Sequence, residues 1–201
     1  LGNDYNRYQT FSSDEASGLS FDGDYYDGAE NVNPTLHTFQ ANNAPGNWWS
    51  DLASGITKCN KLINELSTDT TAAAKRYTAN LRAVLAFYHF VLMGSYGDVP
   101  ILNKLYDSSE AIKRQPRKAV AEFIEKELLE SLPDLSTASN ASTYGKPNKW
   151  MAEALLVKLY MNWGVYTCDH VADYDPATTA NPKLNEAVKF CDDIIRSGLF
   201  N

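Results

Sequence analysis

Residues 81–100 read LRAVLAFYHFVLMGSYGDVP. Leu81, Val84, Leu85, Tyr88, Val91 and Leu92 recur at helical spacing on one face, while Ala83, Ala86, Phe87 and Phe90 make a second. A helix that is apolar nearly all round belongs in the middle of a domain. Its most apolar part, residues 83–94, is interrupted by His89 and falls short of the ~18–20 residues a membrane span needs. Arg82 is the lone cation on it, so a partner is expected, either a carboxylate or the carbonyls of the Gly97-Asp98 turn, because an unpaired buried charge is prohibitive. Gly97 and Pro100 set that turn, Pro by locking φ and Gly by tolerating a positive one.

Four further segments outward from this one carry the same periodicity. Before it, Trp49, Leu52, Ile56, Cys59, Ile63 and Leu66 form one stripe. After it, a helix from about Arg117 through Val120, Phe123, Ile124, Leu128 and Leu132 is stopped by Pro133; another runs through Ala152, Leu155, Leu156, Leu159, Tyr160 and Trp163, with Gly164 as its end. The last opens on Asn181-Pro182 as N-cap and first helical residue, carries Leu184, Ala187, Val188, Cys191, Ile194 and Ile195, and closes at Ser197-Gly198. No segment alternates as a strand does over any length; residues 99–105 are a short extended stretch at most. The class expected is all-α, and the last two helices form a pair of the kind TPR repeats use. The expected core includes Leu85, Tyr88, Leu92, Leu155, Leu159 and Ile195.

Residues 1–46 differ in character. They hold seven acidic residues against Arg7 alone, Gly, Asn and Ser throughout, and aromatics without a steady period. This reads as a long irregular segment ahead of a helical scaffold from 47 to 201, with one short helix starting at the capping-box pair Ser12 and Glu15.

Composition excludes several functions. The net charge of −7 and scattered lysines and arginines make nucleic acid a poor partner. Cys59, Cys168 and Cys191 are widely spaced among apolar neighbours and read as small buried thiols. His37, His89 and His170 lie far apart, and no G-x-S-x-G or H-E-x-x-H occurs. Asp22, Asp24 and Asp27 do not have the spacing of a calcium loop. No metal, cofactor or catalytic set is expected.

Residues 81–90 running into Gly94-Ser95-Tyr96-Gly97-Asp98-Val99-Pro100-Ile101 resemble the signature of the SusD/RagB family. Other pieces are similar in the same order: Ser12 to Glu15; Trp49 through Ile56 to Asn60 and Ile63; Phe123-Ile124 with Leu128, Leu129 and Leu132-Pro133; Lys149-Trp150-Met151-Ala152 through Leu159 to Asn162; and Glu186 to Phe200. The resemblance implies a TPR-based nutrient-binding protein of the outer-membrane cell surface, lipid-anchored upstream of these residues. It also implies an oligosaccharide or other nutrient as ligand and a SusC-like TonB-dependent transporter as partner. The chain would then be the amino-terminal portion, without the carboxyl-terminal half that supplies part of the ligand surface. The helical side would rest on the transporter, leaving the ligand to residues 22–48.

Sugar recognition asks for a flat aromatic ring and a few amide or carboxylate groups. The irregular segment offers Asp22, Asp24, Tyr25, Tyr26, Asn43 and Trp48. Adjacent residues diverge by about 100° on a helix, so with Trp49 on the apolar stripe Trp48 is expected to be the exposed indole. A helical-repeat glycoside hydrolase or a TPR protein-interaction domain are the alternatives. Paired carboxylates about 5–10 Å apart would mark the hydrolase.

Overall fold

A computed structural model describes residues 2–13, 15, 16, 32–38 and 48–200. The chain divides into two units, Leu1–Ser54 and Gly55–Asn201. All regular structure among the described residues is helical, apart from one isolated antiparallel bridge between Val99 and Gln115.

The segment read as irregular holds two helices, α1 (Gly2–Phe11) and α2 (Val32–Leu36), and the first unit also takes in the start of α3 (Trp48–Leu66). Ser12 and Ser13 end α1: the Ser12 amide donates to the Tyr8 carbonyl at 2.9 Å and the Ser13 hydroxyl to that of Thr10 at 3.0 Å. The expected helix start is therefore a helix end, because serine hydroxyls serve the orphan carbonyls of a last turn as readily as the amides of a first.

The second unit is built around α4 (Ala72–Tyr96). Thr71 caps it, accepting from the Ala74 amide at 3.2 Å, and Gly97 ends it with φ 74° while donating to the Met93 carbonyl at 2.9 Å. Ala83, Leu85, Ala86, His89, Val91, Leu92 and Met93 are all buried. Helix α5 (Arg117–Ser131) packs along α4 with Val120, Ala121, Ile124 and Leu128, and at Leu132–Asp134 the chain tightens into a 3-10 turn at Pro133. Arg82 has the carboxylate partner its burial demands. Its Nε and a terminal nitrogen donate to Glu127 at 2.7 and 3.1 Å, and it also reaches Glu130.

Helix α6 (Lys149–Met161) starts at Asn148, which accepts from the Met151 amide at 2.9 Å, and packs against α8 (Leu184–Arg196). The expected continuation through Trp163 is broken at Asn162, and a separate short helix α7 (Trp163–Thr167) follows. Gly164 lies inside α7 and does not end α6: a Cβ there would stand 2.8 Å from the Tyr174 ring, so close packing is what demands glycine. Helix α8 begins at Leu184, two residues beyond Pro182. The Asn181 side chain is engaged elsewhere, accepting from the Lys183 amide at 2.9 Å and donating to the Tyr160 carbonyl at 2.8 Å, which pins the loop to the end of α6.

The core differs from expectation at two positions. Leu85, Leu92, Leu155 and Leu159 are buried, but Tyr88 is only half-buried and Ile195 is 73% exposed, together with Leu184 and Val188 on the same side of α8. Cys59 is buried, whereas Cys168 and Cys191 are half-buried.

Candidate ligand-binding surface

Asp22, Asp24, Tyr25, Tyr26 and Asn43 lie outside the described residues. The aromatic pair at the start of α3 is described, and it is turned the other way from the expectation. Trp48 is 4% exposed and Trp49 is 43% exposed. Tyr5 and Tyr8 pack edge-to-face with the Trp48 indole at centroid distances of 6.0 and 5.1 Å and interplanar angles of 79° and 78°. The correction has a geometric cause. Trp48 stands four residues before Leu52 and Trp49 three, so both positions are neighbours of the buried stripe on a helix surface. Periodicity alone leaves them equivalent, and the tyrosines of α1 decide between them.

Around this cluster the first unit is braced by a hydrogen bond from His37 Nε2 to the Ser12 carbonyl at 2.9 Å, made with His37 at the positive φ of 54°. The guanidinium of Arg7 lies 5.4 Å from the Tyr8 ring centre. Trp49, Ser50 and Asp51 make the exposed side of the first turn of α3.

The second unit carries two polar constructions that periodicity does not show. The Glu125 carboxylate accepts from Tyr160 at 2.7 Å and from Lys183 at 2.6 Å, and the Lys183 ammonium lies 5.1 and 5.2 Å from the ring centres of Tyr160 and Trp163. Burial and the neighbouring carboxylate push the Tyr160 phenol far up, so it stays protonated as the donor. The second construction is His89 with Asn60 around Leu102, treated below. A groove of about 500 Å³ opens between α3 and α4, with Leu62, Leu66, Tyr77, Leu81, Val84 and Pro147 in its walls. Among the described residues no three His, Cys, Asp or Glu side chains are grouped as metal ligands would be.

The fold has known counterparts. A SusD-like protein from Bacteroides fragilis superposes with a TM-score of 0.79 at 19% identity, over 100% of this chain and 36% of that one. The surface glycan-binding protein A from Bacteroides thetaiotaomicron, in complex with laminarihexaose, gives 0.77 at 20% identity over 100% and 39%. A laminarin-binding SusD-like protein gives 0.76 at 23% identity over 96% and 38%. The chain thus spans under two fifths of the length of these structures. No curated protein matches the sequence. Residues 3–161 match the model of a SusD-like family described as starch-binding and associating with the outer membrane, and the chain belongs to that family.

Proposed function

We propose that this protein captures an oligosaccharide at the outer-membrane surface and passes it to a SusC-like TonB-dependent transporter, without catalysing a reaction itself. The family match over residues 3–161 carries the reading. The solved proteins with this fold include two described by the laminarin or laminarihexaose they bind. In this reading the ligand lies on the first unit, against residues 22–48. Asp22, Asp24, Tyr25, Tyr26 and Asn43 supply polar and aromatic contacts, Trp48 anchors the start of α3 against Tyr5 and Tyr8, and Trp49 offers the stacking face. The helices of the second unit face the transporter, and a lipid anchor upstream holds the assembly to the membrane.

The test is calorimetric titration of the intact protein with oligosaccharides of laminarin, xyloglucan and starch, with Trp49→Ala and Trp48→Ala alongside. Loss of one stacked indole costs about 0.5–1.5 kcal/mol, so Trp49→Ala is expected to weaken binding roughly 2- to 13-fold with an unchanged melting temperature. Trp48→Ala is expected to lower the melting temperature first. Binding by Trp49→Ala at wild-type affinity removes the indole from the site. Release of reducing ends by the wild-type protein would make it a hydrolase.

A further inference from the structure

His89 is 0% exposed, and both of its ring nitrogens are committed. Nδ1–H donates to the Leu85 carbonyl one turn back, at 2.8 Å, and Nε2 accepts from the Leu102 amide at 3.1 Å. The carbonyl of the same Leu102 accepts from Asn60 Nδ2 at 2.9 Å. One residue of a surface loop is thus gripped on both its backbone polar groups by side chains of two helices. Downstream the loop is braced internally: the Tyr106 hydroxyl donates to the Ile101 carbonyl at 3.0 Å and Lys104 pairs with Glu110 at 2.6 Å. It returns to the start of α5 through the Gln115 amide on the Val99 carbonyl and the Arg117 amide on Asp98, both at 3.0 Å. Leu105 and Ile112 are exposed along it.

This arrangement admits a single form of the imidazole. It must be neutral, with its proton on Nδ1, because Nε2 has to accept. A proton arriving at Nε2 turns the acceptor into a donor that meets the Leu102 N–H head on, and no carboxylate among the described residues pairs with the cation. Phe123 from α5 stands edge-to-face with the ring, at 4.9 Å between centroids. The titratable groups on the elements packed around this part of α4 are otherwise engaged or silent. Glu127 of α5 is held by Arg82; Glu153 of α6 pairs with Lys149, yet burial raises its carboxyl, so its proton uptake in acid is common to the wild type and to any His89 variant. Burial pushes the Cys59 thiol of α3 and the Tyr88 phenol up, so both stay neutral in acid. In the loop, Glu110 and Asp107 are held below the usual carboxylate range, by Lys104 and by the Ser109 amide respectively.

We propose that His89 is an acid-sensitive latch: its protonation releases residues 100–114 from the helices while α4 and α5 stay folded. Burial agrees with this, lowering the group to about 4. The neutral form is the one the fold binds, so the latch is fully closed above the ordinary histidine value near 6.5 and loosens as pH falls toward 4. The part of the surface that changes with acidity is then the loop carrying Leu105 and Ile112.

Hydrogen exchange read by NMR on the intact protein between pH 7.5 and 4, corrected for intrinsic exchange, tests the latch. The opening constant at the Leu102 amide is expected to rise roughly 10-fold per pH unit below about 6.5, as the uptake of one proton requires, while the amides of α4 and α5 rise much less. The His89→Gln variant places a non-titrating carbonyl acceptor near the same point and is expected to flatten that slope. A flat wild-type profile, the same slope in loop and helices, or a slope that survives His89→Gln would overturn the proposal. Should His89→Gln not fold, the wild-type ring decides: ¹⁵N shifts at pH 7 showing the proton on Nε2 would overturn it, and a proton on Nδ1 supports it.

Discussion

Helices α4 and α8 both announce themselves by apolar periodicity, yet they end in opposite circumstances. On α4 the stripe is used in full along its second half: Leu85, Val91, Leu92 and Met93 are buried, and Arg82 is clasped by two glutamates, while Tyr77 and Phe87 stay on the exposed side. On α8 the better-defined stripe is half used. Ala187 is buried under α6 and Phe190 lies 6.1 Å from the Tyr160 ring, but Leu184, Val188 and Ile195 stand 50%, 60% and 73% exposed. Periodicity therefore reports which residues share a face and says nothing of whether that face is covered. What covers it is another element, and each neighbour supplies only about one sector of a helix surface.

Truncating an enclosed side chain of α4 has the largest expected effect. Leu92→Ala is expected to cost about 3–4 kcal/mol in urea unfolding, the range for a fully enclosed leucine. A loss under 1 kcal/mol would mean that α4 is not the centre of the core.

Acid sharpens it next. His89 is lowered to about 4 by burial, so the unfolded chain binds its proton first. That contribution is complete above pH 6.5 and about 3 kcal/mol of it is gone by pH 4. Wild-type stability measured at pH 7 and pH 4.5 should fall more than that of His89→Gln, since the other titrating groups are common to both. Equal losses would place the histidine in water.

Arg82 supplies a smaller effect. Glu127→Ala removes its bidentate partner, but Glu130 remains and the guanidinium side chain is 22% exposed, so the expected cost is about 2 kcal/mol, below that of a fully buried pair. Glu130→Ala, at a 48% exposed carboxylate, should cost less than Glu127→Ala. The order of the two is read from chemical denaturation, and its reversal would reassign the clasp.

The smallest effect completes the contrast. Ile195→Ser on the open face of α8 should change stability by less than about 0.5 kcal/mol, measured under the conditions used for Leu92→Ala. A cost of 2 kcal/mol or more would show that the stripe is covered in solution.

Much of the scaffold was legible from residues alone. The centres of five helices, the Gly97 turn and the need of Arg82 for a carboxylate follow from spacing and from the cost of burying charge. Helix ends were less legible. Ser12, Gly164 and Pro182 are each residues that mark boundaries, yet Ser12 finishes a helix it was expected to start, Gly164 lies within one, and Pro182 stands ahead of one. Each of these residue types satisfies more than one local geometry, and a more distant partner such as the Tyr174 ring selects among them.

The candidate site shows the division most clearly. By itself the sequence determined that two tryptophans open α3, that only one can lie on the buried side, and that the preceding segment is rich in groups suited to a sugar. Those are consequences of the 100° step and of side-chain chemistry. Only the tertiary structure decided that Trp48 goes under Tyr5 and Tyr8 while Trp49 faces out, and that His89 reaches forward to hold Leu102. Contacts between residues distant along the chain depend on where the backbone carries them, and no local period encodes that.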